Sequence, residues 1–161
     1  MSNSVFRNGV TGALLDVYQQ AIVDFSVVTT MLPGEAFTDR ASFIYEKKVT
    51  IHYIITHTIE SGYIYADHIR VLFQLPTAHT VYDIKGADDV SVQLNHVLAY
   101  TEEALKDTFN MSYEQINEIL IYSSWGKVYD LEMLLEHAIV HIYRHERQLK
   151  KYMSGRKNKG S

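Results

Sequence analysis

Three histidines recur at a spacing of four residues near the end of the chain: His137, His141 and His145. An α-helix turns by about 100° per residue, so each step of four drifts by only about 40° and the three rings share one side of the helix. Imidazole nitrogens one helical turn apart are a common way to hold a divalent metal ion. The spacing therefore indicates metal chemistry on this segment and leaves open how many rings take part.

The apolar residues of the same segment indicate which rings point inward. They centre close to Ala138 and comprise Leu131, Leu134, Leu135, Ala138, Ile142, Leu149 and Tyr152. From that centre, His145 lies about 20° away, His141 about 60° and His137 about 100°. His137 and His145 are also about 12 Å apart along the axis, too far to share one ion at bond lengths of about 2.1 Å. We therefore predict that His141 and His145 are ligands and that His137 lies at the rim.

A core pair without metal is the alternative interpretation. A single inward histidine is usually a core residue whose ring nitrogens are hydrogen-bonded. Two neutral rings one turn apart place two hydrogen-bond acceptors among aliphatic side chains. A cation shared by the two rings satisfies both acceptors. For the pair His141 and His145, the sequence favours the metal.

A third protein ligand is expected, because a catalytic ion usually has three and keeps one position open. Five other histidines are candidates: His52, His57, His68, His79 and His96. His57 is the best placed of them, in the middle of a predicted helix, and the other four are expected at the surface or rim. Periodicity alone does not choose among the five.

The elements that carry these histidines are predicted to be helices, since only two prolines interrupt 161 residues. The apolar periodicity predicts four long helices, at about residues 10–31, 42–73, 88–109 and 130–153. Asp88 or Asp89 is expected to cap the third helix and Asp130 the fourth. The second helix has two apolar faces, which suggests two neighbours, and Gly62 would allow one of them to approach closely.

The four helices favour an all-α fold, a four-helix bundle with long inter-helix connections. Those connections are residues 77–86 and 110–130, and the second includes a strand-like run at 119–122. A single domain is expected over residues 1–153, followed by a disordered basic tail at 154–161.

Composition limits the functional classes. Hydrophobic residues make up 47% and charged residues 21%, as in soluble globular proteins. A net charge of -4 disfavours nucleic-acid binding. No segment is predicted to span a membrane or to act as a secretory signal, so a cytoplasmic location is expected. The absence of cysteine excludes disulfides, thiolate metal sites and a cysteine nucleophile.

Two segments resemble the DinB/YfiT-like family of metal-binding four-helix bundles. In VTIHYIITHTIESGYIYADHIR, His57 matches the ligand on the second helix of that family. In LLEHAIVHIYRHERQL, His141 and His145 match its His-x-x-x-His pair, followed by Gln148. Trp125-Gly126 ahead of the last helix is also similar, and the resemblance covers about residues 14–153. Glu146-Arg147 stands where many members have Arg-Gly, which changes the surroundings of His145 without removing a ligand.

The resemblance implies a divalent ion, most often zinc or nickel, held by His57, His141 and His145 in a cleft open to water. It also implies a small-molecule substrate and one of two activities. These are thiol-dependent transfer or isomerisation with a low-molecular-weight thiol, and metal-dependent hydrolysis.

The competing hypothesis is a non-catalytic metal-binding or structural helical module, as a monomer or a homodimer. A cleft filled by Tyr63, Tyr65 or Tyr143 would favour that module, because substrate could not reach the ion. Haem ligation by the inward histidines is a third and weaker hypothesis.

Overall fold

The computed structural model describes residues 6–39 and 49–157. This part of the chain is mostly helical, in agreement with the predicted all-α class. Its elements, in chain order, are α1 (Gly9–Thr30), a 3-10 turn (Gly34–Phe37), α2 (Ile51–Leu72), α3 (Ala87–Leu105), α4 (Tyr113–Asn117), β1 (Leu120–Tyr122), β2 (Val128–Asp130) and α5 (Leu131–Lys157).

Each of the four long helices packs against two others. Helix α1 contacts α3 and α5, and α2 contacts the same two helices. The core between them is apolar and includes fully buried Leu15, Phe25, Ile55, Leu94 and Leu134. The two neighbours predicted for α2 are therefore confirmed as α3 and α5.

The first and last long helices agree with the sequence prediction. Helix α1 differs from the predicted 10–31 by one residue at each end. Helix α5 begins directly after Asp130, whose Oδ1 accepts a hydrogen bond from the backbone N–H of Met133 at 2.7 Å. This is the predicted N-cap. The helix continues to Lys157, so the first four residues of the predicted disordered tail are helical, and residues 158–161 lie outside the described part.

The predicted second helix included residues 49 and 50, which are not helical, and its predicted start at about residue 42 falls on residues that the structure does not describe. Helix α2 begins at Ile51, and Thr50 is its N-cap, accepting a hydrogen bond from the backbone N–H of Tyr53 at 3.0 Å. A threonine side-chain oxygen that accepts a hydrogen bond from a free backbone N–H in the first turn marks the start of a helix. Apolar periodicity does not reveal that hydrogen bond. Residues 40–48 lie outside the described part.

The third helix begins and ends earlier than the sequence predicted. Gly86 is its N-cap, and Asp89 lies three residues inside, where its carboxylate accepts from the backbone N–H groups of Lys85 and Gly86. Asp89 thus stabilises the start of the helix from within its first turn, rather than as the cap residue. Helix α3 ends at Leu105, before the predicted end at Phe109.

The connection between α3 and α5 contains the short helix α4 and an antiparallel hairpin. Strand β1 falls within the strand-like run at 119–122, and its partner β2 was not predicted. Ile121 pairs with Tyr129, and Gly126 adopts a φ of 80° in the turn, a left-handed conformation that glycine tolerates. The turn brings Trp125 to the side of α2 and α5.

Gly62 lies where α2 meets α3, as predicted. A Cβ atom on Gly62 would lie 2.6 Å from Cγ1 of Val97 and 3.3 Å from the Tyr18 hydroxyl oxygen. The missing side chain therefore sets how closely the two helices pack.

No helix in residues 6–39 and 49–157 is both long enough and apolar enough to cross a lipid bilayer.

Candidate metal centre

Three histidine rings from two helices converge at the contact between α2 and α5. They are His57 of α2 and His141 and His145 of α5, and one nitrogen from each lies within 4.8 Å of the other two. The ring centroids are separated by 4.4 Å for His141 and His145, 5.0 Å for His57 and His141, and 5.1 Å for His57 and His145. The three histidines lie close enough together to bind one metal ion.

The helices fix the positions of these rings. His141 and His145 are each 6% exposed, in agreement with the inward direction predicted from the apolar face of α5. His57 is half-buried on the face of α2 that turns towards α5. Fully buried Ile54, Ile55 and Ile59 surround His57 in sequence and anchor this stretch of α2 in the core.

Gln148 determines which nitrogen of His145 is available. The Nδ1 atom of His145 lies 2.6 Å from Oε1 of Gln148. An amide oxygen only accepts hydrogen bonds, so Nδ1 carries the proton and donates it. In the neutral ring the lone pair is then on Nε2, which faces His141. This is the arrangement by which proteins orient a metal-binding imidazole.

The separation of the paired nitrogens fits a metal ion. Two imidazole nitrogens bound at about 2.1 Å in a tetrahedron lie about 3.4 Å apart. The Nε2 atoms of His141 and His145 are 3.2 Å apart. This distance also fits a hydrogen bond from His141 to His145 when no ion is present. The nitrogen of His57 lies no more than 4.8 Å from the other two.

The protonation of these rings favours coordination. Burial, together with the neighbouring His145 and His57, lowers the pKa of His141 to about 3. Burial also lowers the pKa of His145 to about 4, against an opposing effect of its hydrogen bond to Gln148. The pKa of His57 is lowered as well, first by burial and then by Arg144. The rings are therefore neutral at pH 7, and each keeps a lone pair for a cation.

A cleft of about 400 Å³ lies beside the rings. Its lining residues come from α2, the hairpin turn and α5, and they are His57, Ser61, Ile64, Tyr65, Ser124, Trp125, His137, His141 and Arg144. Ile64 and Trp125 are 42% and 41% exposed, so the cleft is accessible from solvent. Tyr65 forms part of its wall, and neither Tyr63 nor Tyr143 lines it. The cleft is not filled by a tyrosine.

His68 holds the hairpin turn against α2. Its Nε2 accepts a hydrogen bond from the backbone N–H of Ser124 at 3.0 Å. Its ring stacks on Trp125, with a centroid distance of 5.1 Å and an interplanar angle of 19°. Trp125 also donates from Nε1 to the Tyr129 hydroxyl at 3.1 Å. His68 therefore positions one wall of the cleft and does not belong to the converging set.

His137 lies at the rim, as predicted. It is half-buried, lines the cleft, and makes an edge contact with Tyr65 at 5.3 Å between ring centroids. Of the other candidate ligands, His79 and His96 are exposed, and His52 is half-buried in the first turn of α2. None of these joins the converging set in the described part of the chain.

Sequence reasoning missed Arg144 as a site residue. It is exposed, lines the cleft, and follows His141 by three residues on the same helix. A spacing of three places a side chain on nearly the same helical face, so this position could have been found. Glu136, next to His137 in the sequence, is exposed and does not line the cleft.

No protein-family model matches this chain, and no curated protein was found to match it.

Proposed function

We propose that this chain is a metal-dependent enzyme acting on a small molecule, and that it is a DinB/YfiT-like four-helix bundle. His57, His141 and His145 would hold one divalent ion, zinc or nickel. The observation that carries the proposal is the convergence of three neutral imidazoles, from two different helices, beside a cleft of about 400 Å³ that reaches solvent.

The donor set is the kind that zinc and nickel prefer in proteins. Such an ion supplies Lewis acidity, by which a water molecule or a small thiol loses its proton near neutral pH. Gln148 would orient His145 towards a bound ion, and Tyr65 and Trp125 form two walls of the cleft beside it. Because the chain has no cysteine, a thiol needed for transfer or isomerisation would have to be supplied by a second substrate.

Access to the rings supports an enzyme over a purely structural module. His57 and His141 both line the cleft, so a substrate in the cleft would lie next to these two proposed metal ligands. The cleft also has a size typical of small-molecule sites, about 300 to 1,000 Å³. Thiol-dependent transfer and hydrolysis both use this arrangement, and the proposal covers both.

Glu146-Arg147, which stands where many members of the family have Arg-Gly, lies outside the cleft. Glu146 is buried and forms an ion pair with Lys150 one turn later on α5. Arg147 is exposed, and neither residue is part of the cleft wall. Gln148, which follows Arg147, keeps its hydrogen bond to His145.

Metal analysis of untagged protein tests the proposal. We expect about one divalent ion per chain in the wild type and a large loss in His141→Ala, which removes a central ligand. His96→Ala is the matched control, because His96 is exposed on α3 and does not line the cleft. Equal metal content in wild type and His141→Ala would overturn the metal site.

A further inference from the structure

The cleft beside the histidines has an unusual charge for this chain. The whole chain carries a net charge of -4, yet no aspartate or glutamate of the described residues lines the cleft. Among the described lining residues, Arg144 is the one with a formal charge at pH 7. The cleft is therefore a cationic surface in an anionic protein.

Arg144 has no carboxylate partner in the part of the chain that the structure describes. The less exposed arginines Arg7 and Arg70 are paired, Arg7 with Asp16 at 2.6 Å and Arg70 with Glu103 at 2.8 Å, whereas Arg144 is exposed. Arg144 forms no such ion pair within residues 6–39 and 49–157. An unpaired guanidinium presents a planar fork of N–H donors that matches the two oxygens of a carboxylate.

The charge of Arg144 extends across the cleft. Arg144 lines the same cleft as His57, His137 and His141, so its charge faces the space beside those rings. Three neutral imidazoles would also leave the positive charge of a bound ion uncompensated. The charge of Arg144 and the charge of a bound ion would both attract an anion into the cleft.

One part of the cleft wall is apolar and aromatic, beside the polar side chains of Ser61 and Ser124. Ile64, Tyr65 and Trp125 line the cleft on the sides of α2 and the hairpin. The Tyr65 and Trp125 rings meet edge to face, with centroids 5.8 Å apart and planes at 77°. Such a corner accommodates a compact hydrocarbon body better than a polar chain.

We propose that the cleft binds a small organic carboxylate, with the carboxylate on Arg144 and an apolar body against Tyr65 and Trp125. This assignment rests on the proposed function, since it names the substrate class of the same cleft. Arg144 is a binding residue in this account: it fixes one end of the substrate, and the other end lies towards His57 and His141.

Trp125 makes the proposal directly measurable. It is the only tryptophan of the chain and it lines the cleft, so its fluorescence reports ligand binding there. Suitable probes are cyclohexanecarboxylate and cyclohexanecarboxamide, which have similar shapes, differ in charge, and do not absorb where tryptophan is excited. Each probe is titrated into the full-length protein, with and without zinc, and bound zinc is measured on the same samples.

We expect the wild-type protein to bind the carboxylate about tenfold more tightly than the amide, the size of one charge-assisted hydrogen-bonding contact. Arg144→Gln should bind both probes about equally and retain its zinc. Arg147→Gln is the matched control, because Arg147 is exposed on the same helix and does not line the cleft, and it should keep the preference.

An equal affinity of the wild type for both probes would overturn the assignment. A carboxylate preference that survives in Arg144→Gln would overturn it too, because the anion would then be held by the ion or elsewhere. The two proposals fail separately. An Arg144-dependent preference in protein that binds no zinc would support the carboxylate site and contradict the metal centre.

Discussion

The contact between His145 and Gln148 connects the local sequence to the chemistry of the site. Gln148 follows His145 by three residues on α5, so the two side chains meet on one helical face. The amide oxygen holds the proton on Nδ1 and directs the Nε2 lone pair towards His141. A neutral ring with a fixed tautomer is a better ligand than a ring free to rotate.

Gln148→Leu should therefore weaken zinc binding by about 10- to 100-fold, the usual cost of losing a partner that orients a metal ligand. Competition with a chromophoric chelator measures the affinity. Gln148→Glu is the matched variant, because its carboxylate still accepts from Nδ1, and it should bind zinc at least as well as the wild type. Equal affinities for all three proteins would mean that Gln148 plays no part.

The depressed pKa values also predict how the metal-free protein responds to acid. The ordinary histidine pKa is 6.5, and the folded protein lowers it to about 3 for His141 and about 4 for His145. Below pH 6.5 the unfolded chain binds protons that these folded rings do not, so the free energy of unfolding decreases as the pH falls. The contribution of these two rings to the free energy of unfolding is fully present above pH 6.5 and is lost progressively as the pH falls towards 4.

Urea denaturation in the presence of a chelator, repeated across this pH range, measures the effect. His141→Leu keeps an apolar side chain at the same position and removes one titrating ring, so its stability should depend less steeply on pH. An unchanged slope in His141→Leu would show that His141 is not a source of the acid sensitivity.

At the scale of the elements, the site depends on how closely α2 packs against its neighbours. Gly62 lies between Tyr18 of α1 and Val97 of α3, and it is followed by cleft residues Ile64 and Tyr65 on the same helix. A shift of α2 at Gly62 would move His57, one and a half turns earlier, relative to His141 of α5.

Gly62→Ala should destabilise the protein by about 1 to 3 kcal/mol, since the new methyl group would lie 2.6 Å from Val97 in a packed core. Gly155→Ala is the control: that position is helical and exposed, with no atom within 4 Å of the added Cβ. The control should gain up to about 1 kcal/mol from helix propensity. Denaturant unfolding compares the two, and a stabilised Gly62→Ala would contradict the close packing.

Some elements were predictable from the sequence and others were not, for physical reasons. Helices α1 and α5 have long periodic apolar faces, with Pro33 after the first and Asp130 as the cap of the second. Both ends of α1 and the start of α5 were predicted closely, whereas α5 ends at Lys157 rather than at about Met153. The start of α2 depends on one hydrogen bond to Thr50, which periodicity does not reveal. Strand β2 has only three residues and is defined by its pairing with β1, which is a tertiary property.

The same distinction applies to the site. The inward direction of His141 and His145 follows from helical geometry alone, and both rings are buried. His57 could not be selected that way, because its role depends on which face of α2 meets α5. The family resemblance selected it, and in the structure it lies beside the other two rings. Arg144 was missed because a charged, exposed residue next to an apolar stripe normally indicates only a solvated position.

At the scale of the whole molecule, a metal ion held by His57, His141 and His145 would link α2 to α5, two helices far apart in the sequence. Those ligands come together only in the folded chain, so zinc should bind the folded state and raise its stability. At a free zinc concentration of about 100 times the dissociation constant, the gain is about 2.7 kcal/mol. The link between the two helices is the central claim of this account.

Thermal unfolding with and without zinc tests that claim most directly, in wild type, His57→Ala and His137→Ala. Both histidines are half-buried and line the same cleft, but only His57 belongs to the converging set. We predict that zinc raises the Tm of the wild type and of His137→Ala by several degrees and leaves that of His57→Ala nearly unchanged. A full zinc-dependent shift in His57→Ala, with the shift lost in His137→Ala, would contradict the three-histidine site.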